Sequence, residues 1–307
     1  MYELIAANKR RSIALIASFA LIITALGWVF GEFTGFGYYG LVIAALVAIA
    51  MSWGSYFYSD KIALAMSRAT PADQRQFADE PEVAKHIPRL INIVEGLAIA
   101  AGIPAPKIYI VRDVAPNAFA TGRNPQHAAV AVTTGLLQKM NRVELEGIIG
   151  HELAHVKNYD ILVTTIAVTL TGVVMLLSDW MLRMFRFGGR RSRGGNPVTL
   201  VIALIGFALA IFAPLFAQLI KAAVSRKREA LADVSGIHLT RYPPGLISAL
   251  KKLRDDSTVV STASRATAHL WIESPLQRHG SGFASWVNRL FDTHPPLEER
   301  IRVLEKI

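Results

Sequence analysis

Four long stretches of this chain carry no charged side chain: residues 12–30, 36–57, 161–178 and 198–220. Each approaches the roughly 20 residues a helix needs to cross about 30 Å of hydrocarbon, so four hydrophobic membrane helices are predicted. Buried core helices are the alternative, and four such runs in one chain weigh against it. The first run exceeds the roughly 7–15 apolar residues of a signal peptide, and GEFTGF after it offers no A-x-A cleavage pattern. It reads as a retained anchor.

Between the runs the pattern changes period. PEVAKHIPRLINIVEGLAIAAGIP (81–104) has helical spacing and ends at Gly102 and Pro104. KIYIVRD (107–113) and HAAVAVTTGLL (127–137) are rich in β-branched residues and read as short strands. NRVELEGIIGHELAHVKN (141–158) is helical again, with Asn141 and Glu144 spaced as a capping box. SRKREALADVSGIHL, PPGLISALKKLRDD and HPPLEERIRVLEKI complete the helices. The predicted fold class is α+β and mostly helical. The expected organisation is an N-terminal transmembrane hairpin (1–58), a first polar part (59–160), a second hydrophobic hairpin with an Arg-rich connector (161–220), and a second polar part (221–307).

Composition sharpens this picture. Hydrophobic residues make up 52% of the 307 and mean hydropathy is +0.35, high for a soluble protein. The net charge of +10 raises the question of nucleic acid. Yet Lys9, Arg10, Arg11, Lys61, Arg183, Arg186, Arg190, Arg191, Arg193, Lys221, Arg226, Lys227 and Arg228 all flank hydrophobic runs, where topology and lipid headgroups account for them. Nucleic acid is therefore not an expected partner, and the bilayer is. Three basic residues precede the first span and only Glu32 follows it, which predicts a cytoplasmic N-terminus and cytoplasmic polar parts. The connector between the later runs, with five arginines, opposes that rule if both runs cross.

One glycine pattern is a decoy. GFGYYG (35–40) matches G-x-G-x-x-G, but no strand precedes it and it lies between two apolar runs. It reads as a tight interhelical turn.

The chemistry concentrates in GHELAHVKNYD (150–160). His151 and His155 are one helical turn apart on one face, suited to two imidazole ligands on one zinc ion. Glu152 lies off the axis of that pair, where a general base can take a proton from attacking water. The absence of cysteine excludes thiolate catalysis and Cys ligands, so a third ligand is His or carboxylate. Glu229 and Asp233 share a helical face. They read either as ligand and imidazole partner or as acids balancing Arg226, Lys227 and Arg228.

HELAH, followed some seventy residues later by SRKREALAD with apolar runs before and between, resembles the M48 family of membrane zinc metallopeptidases, on its bacterial HtpX-type heat-shock protease branch. PNAFATG (116–122), AVTTGLL (131–137) and THPPLEERI (293–301) extend the resemblance along nearly the whole chain. It implies a gluzincin-like fold and one Zn²⁺ held by His151, His155 and Glu229, with Glu152 as base and Asp233 behind a ligand. It also implies that His294 and Arg300 approach the tetrahedral intermediate. PNAFATG would then be an edge strand to which an extended substrate adds through Asn117 and Phe119, although Phe119 reads equally well as core. The implied activity is a zinc endopeptidase (EC 3.4.24 type) acting on polypeptides, misfolded or damaged membrane proteins among them, at a bacterial inner membrane. A catalytically silent adaptor of the same fold and a prenyl-protein-processing relative are the alternatives. The retained Glu152 opposes the first, and the small number of apolar runs opposes the second.

Overall fold

The computed structural model describes residues 2–188, 226–261, 267, 270–273 and 295–307. Two long helices, α1 (Tyr2–Thr34) and α2 (Tyr38–Met66), form a hairpin closed by the turn at 35–37. GFGYYG is therefore that interhelical turn and the start of α2. The helices approach closely: a Cβ on Gly40 would meet the Gly31 Cα at 2.5 Å, so small residues at the crossing set the spacing. Their apolar stretches, Ile5–Val29 and Tyr38–Met66, have mean hydropathies of 2.2 and 1.8, with only 22% and 17% of their most apolar windows buried. An apolar surface left outward on helices of this length is the condition for a membrane span.

A four-stranded sheet follows, built from β1 (Ala69–Pro71), β2 (Lys107–Val111), β3 (Ala118–Gly122) and β4 (Ala128–Thr133) in the order β1-β2-β4-β3. β2 and β4 run parallel, and the two outer pairings are antiparallel. Every residue of β3 and β4 is buried, because helices cover both faces. Ile110, Ala118, Ala120, Val130 and Val132 join the core beneath the helices α4 (Ile87–Ala101) and α6 (Arg142–Lys157). Val111, Phe119, Ala129 and Ala131 face the other way, against Ala63, Leu64, Val168 and Trp271. That two-sided burial explains the unbroken apolar runs of both strands.

The expected helix at 81–104 is two pieces, the short α3 (Pro81–Ala84) and α4. The break, at Lys85 and His86, comes just before Pro88, the second residue of α4, which has no N–H to donate to the carbonyl one turn back, at Ala84. HAAVAVTTGLL likewise divides: β4 ends at Thr133, whose hydroxyl caps the short α5 (Thr134–Lys139) by accepting from the Leu136 N–H. Asn141 and Glu144 form the expected capping box at the start of α6. α8 (Arg226–Thr240), α9 (Pro243–Asp255) and α10 (Leu297–Leu304) supply the remaining core.

The third apolar run is helical as α7 (Asp160–Gly188), and its first half packs into a cluster with α1 and α2 through Leu162, Ile166, Leu170, Phe19 and Ala48. The fourth run, and the connector from residue 189 onward, lie outside the described residues. So does His294.

Candidate metal centre

α6 and α8 cross at two glycines, and that crossing brings the site together. A Cβ on Gly236 would sit 2.8 Å from the His151 backbone N, and one on Gly150 would sit 3.1 Å from the Gly236 carbonyl oxygen. With no side chain between the helices, Glu229 and Asp233 on α8 reach the imidazoles of α6.

His151 and His155 point their Nε2 atoms at each other, 3.1 Å apart. The Glu229 carboxylate completes a triangle, its oxygens 3.6 Å from each Nε2. These three donor atoms lie within 4.8 Å of one another. Glu152, one residue along the helix, is 2% exposed.

Each imidazole is oriented from behind. His151 Nδ1 lies 2.8 Å from Asp233 Oδ1, and His155 Nδ1 lies 3.1 Å from Asp160 Oδ2. Once each Nδ1–H donates to its carboxylate, each Nε2 keeps its lone pair. Two lone pairs and a carboxylate then converge on one point, a donor set that repels itself unless a cation binds there. Two imidazoles and one carboxylate fit a divalent zinc ion, with a fourth position left for reactant. The electrostatics agree. Burial alone pushes His155 down, yet Glu229, Asp160 and Glu152 outweigh it and raise its pKa to about 9. The pocket attracts positive charge.

Arg300, expected at the tetrahedral intermediate, is 3% exposed and packs beside His151, its Nη2 3.4 Å from Nδ1. Its Nε and Nη2 donate to the two oxygens of Asp233 at 3.0 and 2.6 Å, and its Nη1 donates to the Ile272 carbonyl at 3.1 Å. Burial would push Asp233 up, but Arg300 and His151 outweigh it and hold it at about 2. Asp233 is thus a fixed carboxylate between a guanidinium and an imidazole.

β3 lies at the sheet edge, as PNAFATG was expected to. Its two singled-out side chains are occupied, however. Asn117 Nδ2 donates to the Glu273 carbonyl at 3.0 Å, and its Oδ1 accepts from the Glu273 N–H at 3.3 Å. Phe119 is fully buried, its ring centroid 4.7 Å from that of Trp271. The Ile272 N–H donates to the Ala118 carbonyl, and Gly122 N–H donates to Thr165 Oγ1 of α7.

Asp160 was overlooked in the sequence. Nothing in the sequence marks it out, because Lys157, three residues before it, offers an ordinary helical charge partner.

Residues 84–307 match the model of peptidase family M48. Over the full chain, 42% of residues are identical to a protein named protease HtpX homolog from Caldanaerobacter subterraneus subsp. tengcongensis, with 98% of that protein covered. The homolog of the same name from Lactobacillus helveticus is also 42% identical, with all of both chains covered. The crystal structure of S. mikatae Ste24p superposes with a TM-score of 0.49 and 17% identity, over 99% of this chain and 67% of that one. That is too low to establish a shared fold.

Proposed function

This chain belongs to peptidase family M48 and is a membrane-bound metalloprotease acting on polypeptides, and from that premise we propose how its residues divide the work. His151, His155 and Glu229 hold one zinc ion. A zinc ion bound there supplies Lewis acidity, polarising a carbonyl and lowering the pKa of water to about 7. Glu152 is the general base: its carboxylate takes a proton from the attacking water and passes it to the leaving amine. Asp233 holds His151 in the tautomer that keeps Nε2 free, and Arg300 holds Asp233. His294 donates to the developing oxyanion. Asn117 and Phe119 serve the substrate edge from behind, by seating the Trp271–Glu273 backbone against β3. The observation that carries this reading is the meeting of three donor atoms beside a buried glutamate on one helix turn.

The remaining reading concerns place and substrate. The gluzincin-like polar parts (59–160 and 221–307) lie on the cytoplasmic side of a bacterial inner membrane, with four spans in the hairpins 1–58 and 161–220. His155 lies six residues before the apolar run that begins at Ile161, about 9 Å at the helical rise per residue. An active site so near the bilayer suits misfolded membrane proteins, cut where they emerge from lipid.

Glu152→Gln tests the division of roles. The variant should keep one zinc per chain and lose hydrolysis of an unfolded protein by several orders of magnitude. Elemental analysis and a proteolysis assay on the same preparation decide it. Activity within a few-fold of the parent would remove Glu152 from the mechanism. Loss of zinc would make it a ligand.

A further inference from the structure

The second histidine is anchored by a residue from the opposite end of the chain. Asn8, on the second turn of α1, is 2% exposed. Its amide Nδ2 donates to Asp160 Oδ1 at 2.8 Å and to the Asn158 carbonyl at 2.9 Å. The other oxygen of Asp160 is the one that faces His155 Nδ1.

The chemistry of an asparagine suits this place. Its NH₂ has two donor hydrogens at a fixed angle, and here they bridge the end of α6 to the first residue of α7. Between those two acceptors lies Tyr159, at a φ of 60° in the left-handed region that a non-glycine residue rarely adopts. The turn that carries Asp160 is therefore one the local sequence does not favour, and α1 holds it from outside. Lys9 adds to the hold, its Nζ 5.0 Å above the Tyr159 ring. Arg228 Nη1 comes within 3.4 Å of the same Asp160 oxygen that Asn8 binds.

α1 has 33 residues, about 50 Å of helix against about 30 Å of hydrocarbon. With Lys9, Arg10 and Arg11 next to it, Asn8 falls at the membrane edge and not in the lipid. That is the level at which α6 gives way to α7.

We propose that Asn8 is a positioning residue for the metal centre: through Asp160 it fixes the orientation of His155, so α1 is scaffold for the site as well as anchor. This rests on His151, His155 and Glu229 being the zinc ligands. A carboxylate with one oxygen held can present the other at a constant angle. Released from Asn8, Asp160 can rotate about its Cβ–Cγ bond, and the imidazole turns with it.

The test uses the full chain purified in detergent, with Asn8→Ala, Asn8→Asp, Asp160→Ala, Glu229→Ala and the double variant Asn8→Ala/Asp160→Ala. Asn8→Asp keeps the shape and removes both donor hydrogens, so it covers the case in which the alanine variant fails to fold. Helix content by circular dichroism identifies the folded variants. Zinc affinity comes from competition with a chelator, and ligand geometry from the visible absorption of the Co²⁺-substituted protein. Both Asn8 variants should bind zinc about 10–100-fold more weakly, as for other groups behind a metal ligand, and should shift the Co²⁺ bands. In the Asp160→Ala background, Asn8→Ala should cost nothing further, because the two act as one unit. Parent-like affinity and spectrum in a folded Asn8 variant would overturn the proposal, as would additive losses in the double variant. Full zinc retention by Glu229→Ala would instead overturn the ligand assignment beneath it, and the proposal with it.

Discussion

Arg300 and Asp233 bury a two-pronged ion pair directly behind His151. Lysine carries the same charge but only a point donor, so it cannot grip both carboxylate oxygens. Arg300→Lys should therefore lower zinc affinity and kcat/KM by about 10–100-fold, as loss of an orienting partner does, while one zinc still binds at saturating metal. Equilibrium zinc titration beside steady-state kinetics checks this. Unchanged values would mean that the fork has no hold on His151. Sequence reasoning found Arg300 but not its contact with Asp233. A motif shows which residue types recur together, and only the packing of α10 against α8 shows that the guanidinium faces Asp233. His151, His155 and Glu152 stood out because helical spacing puts them on defined faces, whereas Glu229 needed the family resemblance, its spacing fitting a charge partner of Arg226–Arg228 equally well. Asn8 and Asp160 were not, since their partnership depends on how α1 docks, 152 residues away in sequence.

The start of α6 is tied to α9. Glu144 accepts from the Asn141 N–H at 2.8 Å, from Ser248 Oγ at 2.7 Å and from Lys252 Nζ at 2.7 Å, and it is 2% exposed. Burial would raise its pKa, but Lys252, Ser248 and Asn141 outweigh that and leave it lowered. A carboxyl group whose folded pKa lies below its unfolded value of about 4.3 stabilises the fold above that value. The contribution fades as pH falls through the folded value. Glu144→Gln should accordingly melt at a lower temperature than the parent at pH 7, with the gap closing as pH drops below about 4. Melting curves in detergent from pH 3 to 7 measure it, and a gap constant across that range would exclude the carboxylate as its source. The capping box itself was readable from Asn141 and Glu144 three residues apart. The link to α9 was not, because Ser248 and Lys252 lie more than a hundred residues on.

At the scale of the whole molecule, the apolar pattern located the α1–α2 hairpin and α7, and the β-branched runs located two of four strands. The three-residue β1 escaped, having too few positions for alternation to register. The number of crossings is open to a direct experiment, because the chain has no cysteine. A cysteine placed at Ser192 should react with an impermeant thiol reagent on intact cells, and one at the exposed Ser257 should react only after lysis. Labelling of neither on intact cells would put the Arg-rich connector on the cytoplasmic side and leave two spans.

The buried fork also has a consequence in time. A ribosome delivers His151, His155 and Glu229 first, and Arg300 about seventy residues after the last of them. A nascent chain can therefore own every metal ligand and still lack the guanidinium that fixes Asp233 behind His151. The support behind His151 is complete only once Leu297–Leu304 has been made and packed against Asp233.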